Sequence, residues 1–179
     1  IIGGDLSSDG TLAATCGDDR RVRVWDLATR TPRLTLTGHT DLIWRCRFSP
    51  AGTRLLSTSN DGTAKVWDPI TGALITSVDT GDIVWWGEIS PDDHLFTTAT
   101  LDGAVQVWDA RTGALLTSHA FAGKGAHFTR DGARLVMERG DGKLQIWRRP
   151  GGRQRDHLAP ADGDLLEVSP DGARALLAR

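Results

Sequence analysis

Tryptophan recurs at Trp25, Trp67, Trp108 and Trp147, at spacings of 42, 41 and 39, each time inside one frame: VRVWDLATR, AKVWDPITG, VQVWDARTG and LQIWRRPGG. This period is the strongest constraint on the chain. Self-similarity at a fixed spacing of roughly 20–50 residues marks architectures in which one small unit cannot bury its apolar surface alone and must stack on its neighbours. A second marker, a Ser/Pro/Asp/Gly turn, falls at Ser7–Gly10, Ser49–Gly52, Ser90–Asp93, Thr129–Gly132 and Ser169–Gly172. It steps by the same interval and gives five units, the last one short.

Within a unit the hydrophobicity alternates with period two, as in Ala64-Lys65-Val66-Trp67 and Val105-Gln106-Val107-Trp108, which is the signature of strands rather than helices. The turns Asn60-Asp61-Gly62, Leu101-Asp102-Gly103 and Gly140-Asp141-Gly142 suit tight hairpins, because Gly and Asp tolerate positive φ. Each unit therefore yields four short strands, placed in the second near 42–48, 54–59, 63–68 and 73–78. Small antiparallel sheets that are apolar on both faces bury them by radial stacking, the propeller solution.

The segments GHTDLIWRCRFSPAGTRLLSTSNDGTAKVWD (38–68) and SPDDHLFTTATLDGAVQVWD (90–109) resemble WD40 repeats, and the likeness extends over nearly the whole chain. The resemblance implies an all-β fold of WD40 β-propeller blades, four-stranded antiparallel sheets at about 1–37, 38–79, 80–119, 120–160 and an incomplete 161–179. The whole of 1–179 is then a partial propeller, since rings of this family usually close with more blades. Its sheet faces would be completed by the rest of its own propeller or another subunit, and the segment alone is expected to be poorly soluble or oligomeric.

The family's structural tetrad joins a His, a Ser/Thr, an Asp and a Trp in a buried hydrogen-bond chain. The matching residues are complete in the second unit: His39, Ser57, Asp61 and Trp67. The first unit retains Thr15, Asp19 and Trp25; the third retains Thr98, Asp102 and Trp108 but has Thr80 in place of the histidine. The fourth keeps His119, Asp141 and Trp147, with Met137 at the hydroxyl position and Arg148 where the Asp of Trp-Asp belongs. Although Ser, His and Asp also make hydrolase triads, no G-x-S-x-G elbow occurs, and the repeated frame assigns the set a structural role.

Family geometry places the start of each first strand and the turn before each third strand on one rim. The rim positions are Trp44, Arg45, Trp85, Trp86 and Lys124, with Asp18, Asn60, Leu101 and Gly140 just before the turn aspartates. Ile43, Cys46 and Phe48 break strict alternation, which implies a bulge at Trp44-Arg45 that re-aims a side chain. Tryptophan and arginine are enriched in interaction hot spots, so these residues form a candidate partner-binding patch; the alternative is that Trp85 or Trp86 fills the gap between blades.

Composition limits the partner. The balance of 21 basic against 23 acidic residues carries no electrostatic footprint for nucleic acid, and no apolar run approaches a membrane span. Cys16 and Cys46 lack C-x-x-C spacing and read as buried small hydrophobes in a reducing, cytoplasmic setting. His94, His127 and His157 share no metal-ligand spacing, and Gly123-Lys124-Gly125 lacks a phosphate-loop frame, so no metal or cofactor is expected. The arginine cluster 148–155 reads as a solvated turn, or else a patch for an acidic partner. An excess of Arg over Lys and Asp over Glu suggests a bacterial source.

The expected function is a non-catalytic protein–protein interaction scaffold or sensor, the recognition arm of a larger protein, since bacterial proteins of similar appearance often join such repeats to NTPase or effector domains. The alternative is an enzyme or small-ligand-binding propeller using its central channel. Arg47, Glu88, His127 and Glu167 occupy the equivalent first-strand positions there and look like polar contacts between blades.

Overall fold

The computed structural model describes the backbone of residues 1–120, 123–139, 144–148, 155–157, 164–168 and 175–178, and the side chains of 1–120, 125–137, 146 and 147. Every regular element among them is a strand. The first sheet contains β1 (Gly3–Leu6), β2 (Leu12–Cys16), β3 (Val22–Asp26) and β4 (Thr31–Leu36) in that spatial order. The second contains β5 (Ile43–Phe48), β6 (Leu55–Ser59), β7 (Thr63–Trp67) and β8 (Leu74–Asp79), and the third β9 (Val84–Ile89), β10 (Leu95–Thr100), β11 (Ala104–Asp109) and β12 (Leu115–Ala120). The fourth comprises β13 (Gly123–Phe128), β14 (Arg134–Arg139), β15 (Leu144–Arg148) and β16 (Arg155–His157), and β17 (Asp164–Val168) pairs with β18 (Ala175–Ala178). All the pairings are antiparallel between sequence neighbours, an up-and-down meander repeated blade after blade.

Two recurrent turns make that meander. Between first and second strands, the Ser7, Ser90 and Thr129 hydroxyls donate to Asp9, Asp92 and Asp131 at 2.6, 2.7 and 2.6 Å and accept the amides of Leu12, Leu95 and Arg134. In the second blade Ala51 replaces the aspartate, and the amide of Arg54 reaches Ser49 at a longer 3.3 Å. Between third and fourth strands, the Asp after each tryptophan caps the turn: Asp68 accepts from the amides of Ile70 and Thr71, and Asp109 from those of Arg111 and Thr112. Short side-chain acceptors satisfy turn amides that no strand partner reaches.

The first strands β1, β5, β9 and β13 lie against one another in series, whereas the fourth strands spread apart, so the sheets fan about their first strands. The core is correspondingly divided into layers between blades. Leu12, Ala14, Cys16, Val22 and Val24 of the first blade pack against Ile43, Cys46, Phe48, Leu55 and Trp67 of the second. Leu56, Ala64, Val66 and Val78 meet Ile89, Phe96 and Trp108 of the third, and Leu95, Ala99, Val105 and Val107 meet Ala126, Leu135 and Met137 of the fourth. Each blade thus offers one aliphatic face forward and receives the tryptophan of the next.

Close approach at the hub demands small residues. A Cβ on Gly87 would lie 2.8 Å from Leu56 Cδ2 and 3.0 Å from the Thr97 carbonyl oxygen, a clash that explains the glycine where β5 carries Cys46 and β13 Ala126. Cys16 and Cys46 are both buried free thiols in the first layer. The Cys46 thiol is pushed up by its hydrogen bond to Cys16 and by burial.

Candidate functional site

In the second blade four side chains form one chain of hydrogen bonds from rim to core. Trp67 Nε1 donates to Ser57 Oγ at 2.9 Å, Ser57 Oγ meets His39 Nε2 at 2.8 Å, and His39 Nδ1 meets Asp61 Oδ2 at 2.9 Å. Asp61 also accepts from the amides of Thr40 (2.8 Å) and Thr63 (2.9 Å) and from the Thr63 hydroxyl (2.6 Å). The loop into β5 is thereby tied to β6 and β7. The serine is buried and engaged on both sides, by Trp67 and by His39, so the set works as a strut that ties loop to strands.

The electrostatics agree with that role. Burial, the largest influence, pushes the His39 imidazole below its ordinary 6.5, although the Asp61 charge pulls the other way. Burial opposes the Asp61 charge too, but hydrogen bonds from Thr63, the Thr40 amide and His39 together hold its carboxyl down to about 2. Protonating His39 therefore costs more in the folded than in the unfolded chain. Its contribution to stability is complete above about pH 6.5 and declines as pH falls below that, while the contribution of Asp61 is lost between its ordinary 3.8 and about 2. The imidazole protons of His39, followed by NMR, are expected to titrate with a midpoint below 6.5; a midpoint above it would mean that ion pairing outweighs burial.

Among the described residues, the other blades show part of the chain. Trp25 Nε1 donates to Thr15 Oγ1 at 2.8 Å and Trp108 Nε1 to Thr98 Oγ1 at 2.9 Å. Asp19 instead pairs with Arg23 at 2.5 Å in solvent, and Asp102 accepts from Thr100 Oγ1 at 2.5 Å and the Ala104 amide at 3.1 Å. Neither carboxylate is bonded to its blade's Thr–Trp pair; in the third blade Thr80, in the histidine's place, donates to the carbonyls of Gly62 and Asp82. His119 bonds Thr117 and lies 3.7 Å, centroid to centroid, from the Trp147 ring, so this pair meets by ring contact where Met137 offers no hydroxyl. Asp141 and Gly140 lie outside the described residues, as do the side chains of Lys124, Arg148, His157 and Glu167.

The hub side of the blades holds a cleft of about 680 Å³, bounded by β1, β5, β9 and the turn at Leu101. The same irregularity shapes it twice. In β5 the pairing skips Trp44 between Ile43↔Ser59 and Arg45↔Thr58, and in β9 it skips Trp85 between Val84↔Thr100 and Trp86↔Ala99. A bulge releases the extra residue from the pleat, and both tryptophans line the cleft. Trp44, 39% exposed, is held by donating Nε1 to Asn60 Oδ1 at 2.6 Å; Trp85 donates to the Thr100 carbonyl at 3.2 Å. Leu101 is 67% exposed beside them. Asp18 lies apart, at a smaller depression with Ile1, Thr15 and Arg23.

Trp86 takes a different direction. Its ring is sandwiched between blades, with the Arg45 guanidinium 3.8 Å above its centroid, His127 edge-on at 5.0 Å and Trp85 at 6.0 Å. Gly125, at φ +142°, makes the room, since a Cβ there would come within 3.3 Å of the indole. Two carboxylates on first strands tie neighbouring blades: Asp5 Oδ2 accepts the Phe48 amide at 2.9 Å, and Glu88 accepts the Phe128 amide at 3.2 Å and meets His127 Nδ1 at 3.0 Å. The expected polar contacts between blades are thus present at Glu88 and His127. Asp5, which occupies the equivalent place in β1, was legible from the same repeat alignment. Arg47, at that position in β5, has no such partner and lines the cleft. Among the described residues no group of three His, Cys, Asp or Glu side chains is placed to hold a metal ion.

Comparison with known proteins agrees with this architecture. The family profile described as "WD domain, G-beta repeat" matches residues 4–26, 30–68 and 71–109, more than half of the chain. Periodic tryptophan protein 2 of Arabidopsis thaliana is 40% identical over 62 residues, covering 35% of this chain and 7% of that protein. Superkiller complex protein 8 of Dictyostelium discoideum is 45% identical over 56 residues (31% and 19%), and Transcriptional corepressor LEUNIG_HOMOLOG of Arabidopsis thaliana 37% over 68 (38% and 9%). The chain thus spans less than a fifth of the length of these relatives. They come from a plant and an amoeba, and the bacterial source suggested by composition is not borne out. With the repeated turn, the Trp–hydroxyl bonds and the fanned four-stranded sheets all matching the profile's period, the chain belongs to the WD40-repeat family.

Proposed function

We propose that this chain is a non-catalytic interaction scaffold, the recognition arm of a longer protein, which binds a protein partner across the mouth of the cleft between β1, β5 and β9. The observation that carries the reading is the repeated bulge: two successive blades turn out Trp44 and Trp85 at equivalent positions, beside an exposed Leu101. Large, stiff aromatic side chains around a concavity bury much area at little entropic cost. The relatives' names, a corepressor and a complex component, accord with assembly rather than chemistry. Two buried free thiols fit a reducing compartment such as the cytoplasm.

A photo-crosslinking residue in place of Leu101, in the intact protein in its native cells, is expected to yield a discrete protein adduct that the Trp44→Ala change abolishes while circular dichroism stays unchanged. An adduct indifferent to Trp44, or no protein adduct, would overturn the assignment of this face.

A further inference from the structure

The cleft carries a charge pattern that its apolar lining does not require. Arg45 and Arg47, two apart on β5, both line it and both approach the Trp86 ring, at 3.8 and 5.7 Å. Among the described residues neither forms an ion pair. The carboxylate that shares the cleft, Asp5, is engaged by the Phe48 amide, and Glu88 on the next blade is engaged by His127 and Phe128. Arg45 is held below its usual value by burial and then by the neighbouring Arg47 charge. Two half-buried guanidiniums side by side without a counterion are an unfavourable arrangement that an incoming anion relieves.

Resting on the scaffold reading above, we propose that the occupant of this cleft is an acidic segment of a protein partner, with an Asp or Glu carboxylate held between Arg45 and Arg47 and its apolar neighbours laid on Trp44, Trp85 and Leu101. The planar guanidinium, already oriented by stacking on Trp86, presents its donors in the fork that matches a carboxylate. A nucleic acid is the poorer fit. The positive charge is confined to the one pair Arg45 and Arg47, and the chain as a whole has net charge −2, with no run of basic residues beside the cleft to track a phosphate backbone. The exposed Trp44 and Leu101 call for apolar side chains, which a free carboxylate or phosphate does not supply.

The test uses the full-length protein and fluorescein-labelled peptides of alternating glutamate and leucine, read by fluorescence anisotropy. The glutamate peptide is expected to bind, and its glutamine counterpart to bind about tenfold or more weakly, the loss expected for one charge-assisted pair. Arg47→Gln, which leaves the Arg45–Trp86 stack intact, is expected to produce a similar loss, as is raising the salt to about 0.5 M. Equal binding of the two peptides, wild-type binding by Arg47→Gln, full competition by free glutamate, or equally tight binding of a single-stranded DNA of matched charge would each overturn the proposal. Failure is distinguishable from failure of the scaffold reading. If the Leu101 adduct depends on Trp44 but is indifferent to Arg47→Gln, the face is an interaction surface and its partner is not acidic.

Discussion

Asp61→Ala is expected to lower the unfolding free energy by about 3 kcal/mol, measured by urea denaturation, while Asp102→Ala leaves the denaturation midpoint close to that of the unsubstituted protein. The two residues occupy the same place in successive repeats and would look interchangeable in an alignment. Asp61, however, accepts four hydrogen bonds from His39, Thr40 and Thr63, and its loss leaves the half-buried Thr63 amide without an acceptor and the buried His39 Nδ1 with only the Thr63 hydroxyl at 3.1 Å. Asp102 serves a turn in solvent, where water replaces it. The cost follows the number of donors left without acceptors, not the presence of the motif letter. Equal effects at both positions would show that the tetrad adds nothing beyond its turn.

Trp86→Ala is expected to destabilise by about 3 kcal/mol, and Trp44→Ala by less than about 1 kcal/mol. Trp86 fills the space between the third and fourth blades, where it stacks with Arg45, meets His127 and rests on Gly125. Removing it opens a cavity between first strands and frees Arg45 from its platform. Trp44 sits on the surface, and its deletion removes one hydrogen bond to Asn60 and little packing. The same denaturation series measures both, and a larger loss at Trp44 than at Trp86 would contradict this division. The contrast also bears on partner binding: a triple replacement of Trp44, Trp85 and Trp86 confounds loss of contact with loss of fold, whereas Trp44→Ala does not.

Much of the architecture was legible in the amino-acid order. The four strands of the second blade, Ile43–Phe48, Leu55–Ser59, Thr63–Trp67 and Leu74–Asp79, lie close to where period-two alternation between turn signals puts them. The bulge at Trp44-Arg45 follows from the broken alternation of Ile43, Cys46 and Phe48, since an extra residue shifts every later side chain to the other face. The three Trp–hydroxyl bonds of the first three blades are equally local in origin, because each joins adjacent strands in a hairpin whose register the turn sets.

What could not be read is what one blade does to the next. Equivalent repeat positions hold Gly3, Arg45, Trp86 and Gly125, and the direction of each side chain depends on the size of its neighbour across the blade boundary: Trp86 turns inward because Gly125 leaves room. Asp102 matches the motif but does not join it, since Thr80 stands in the histidine's place and leaves the distance to the Thr98–Trp108 pair unbridged. The sequence by itself determined the repeat, the strands, the turns and the family, because these rest on periodicity and short-range hydrogen bonding. Only the tertiary structure decided which tryptophan faces solvent, which arginines lack a counterion and where the cleft opens, because packing between blades is a contest of volumes and charges that residues about 40 positions apart settle jointly.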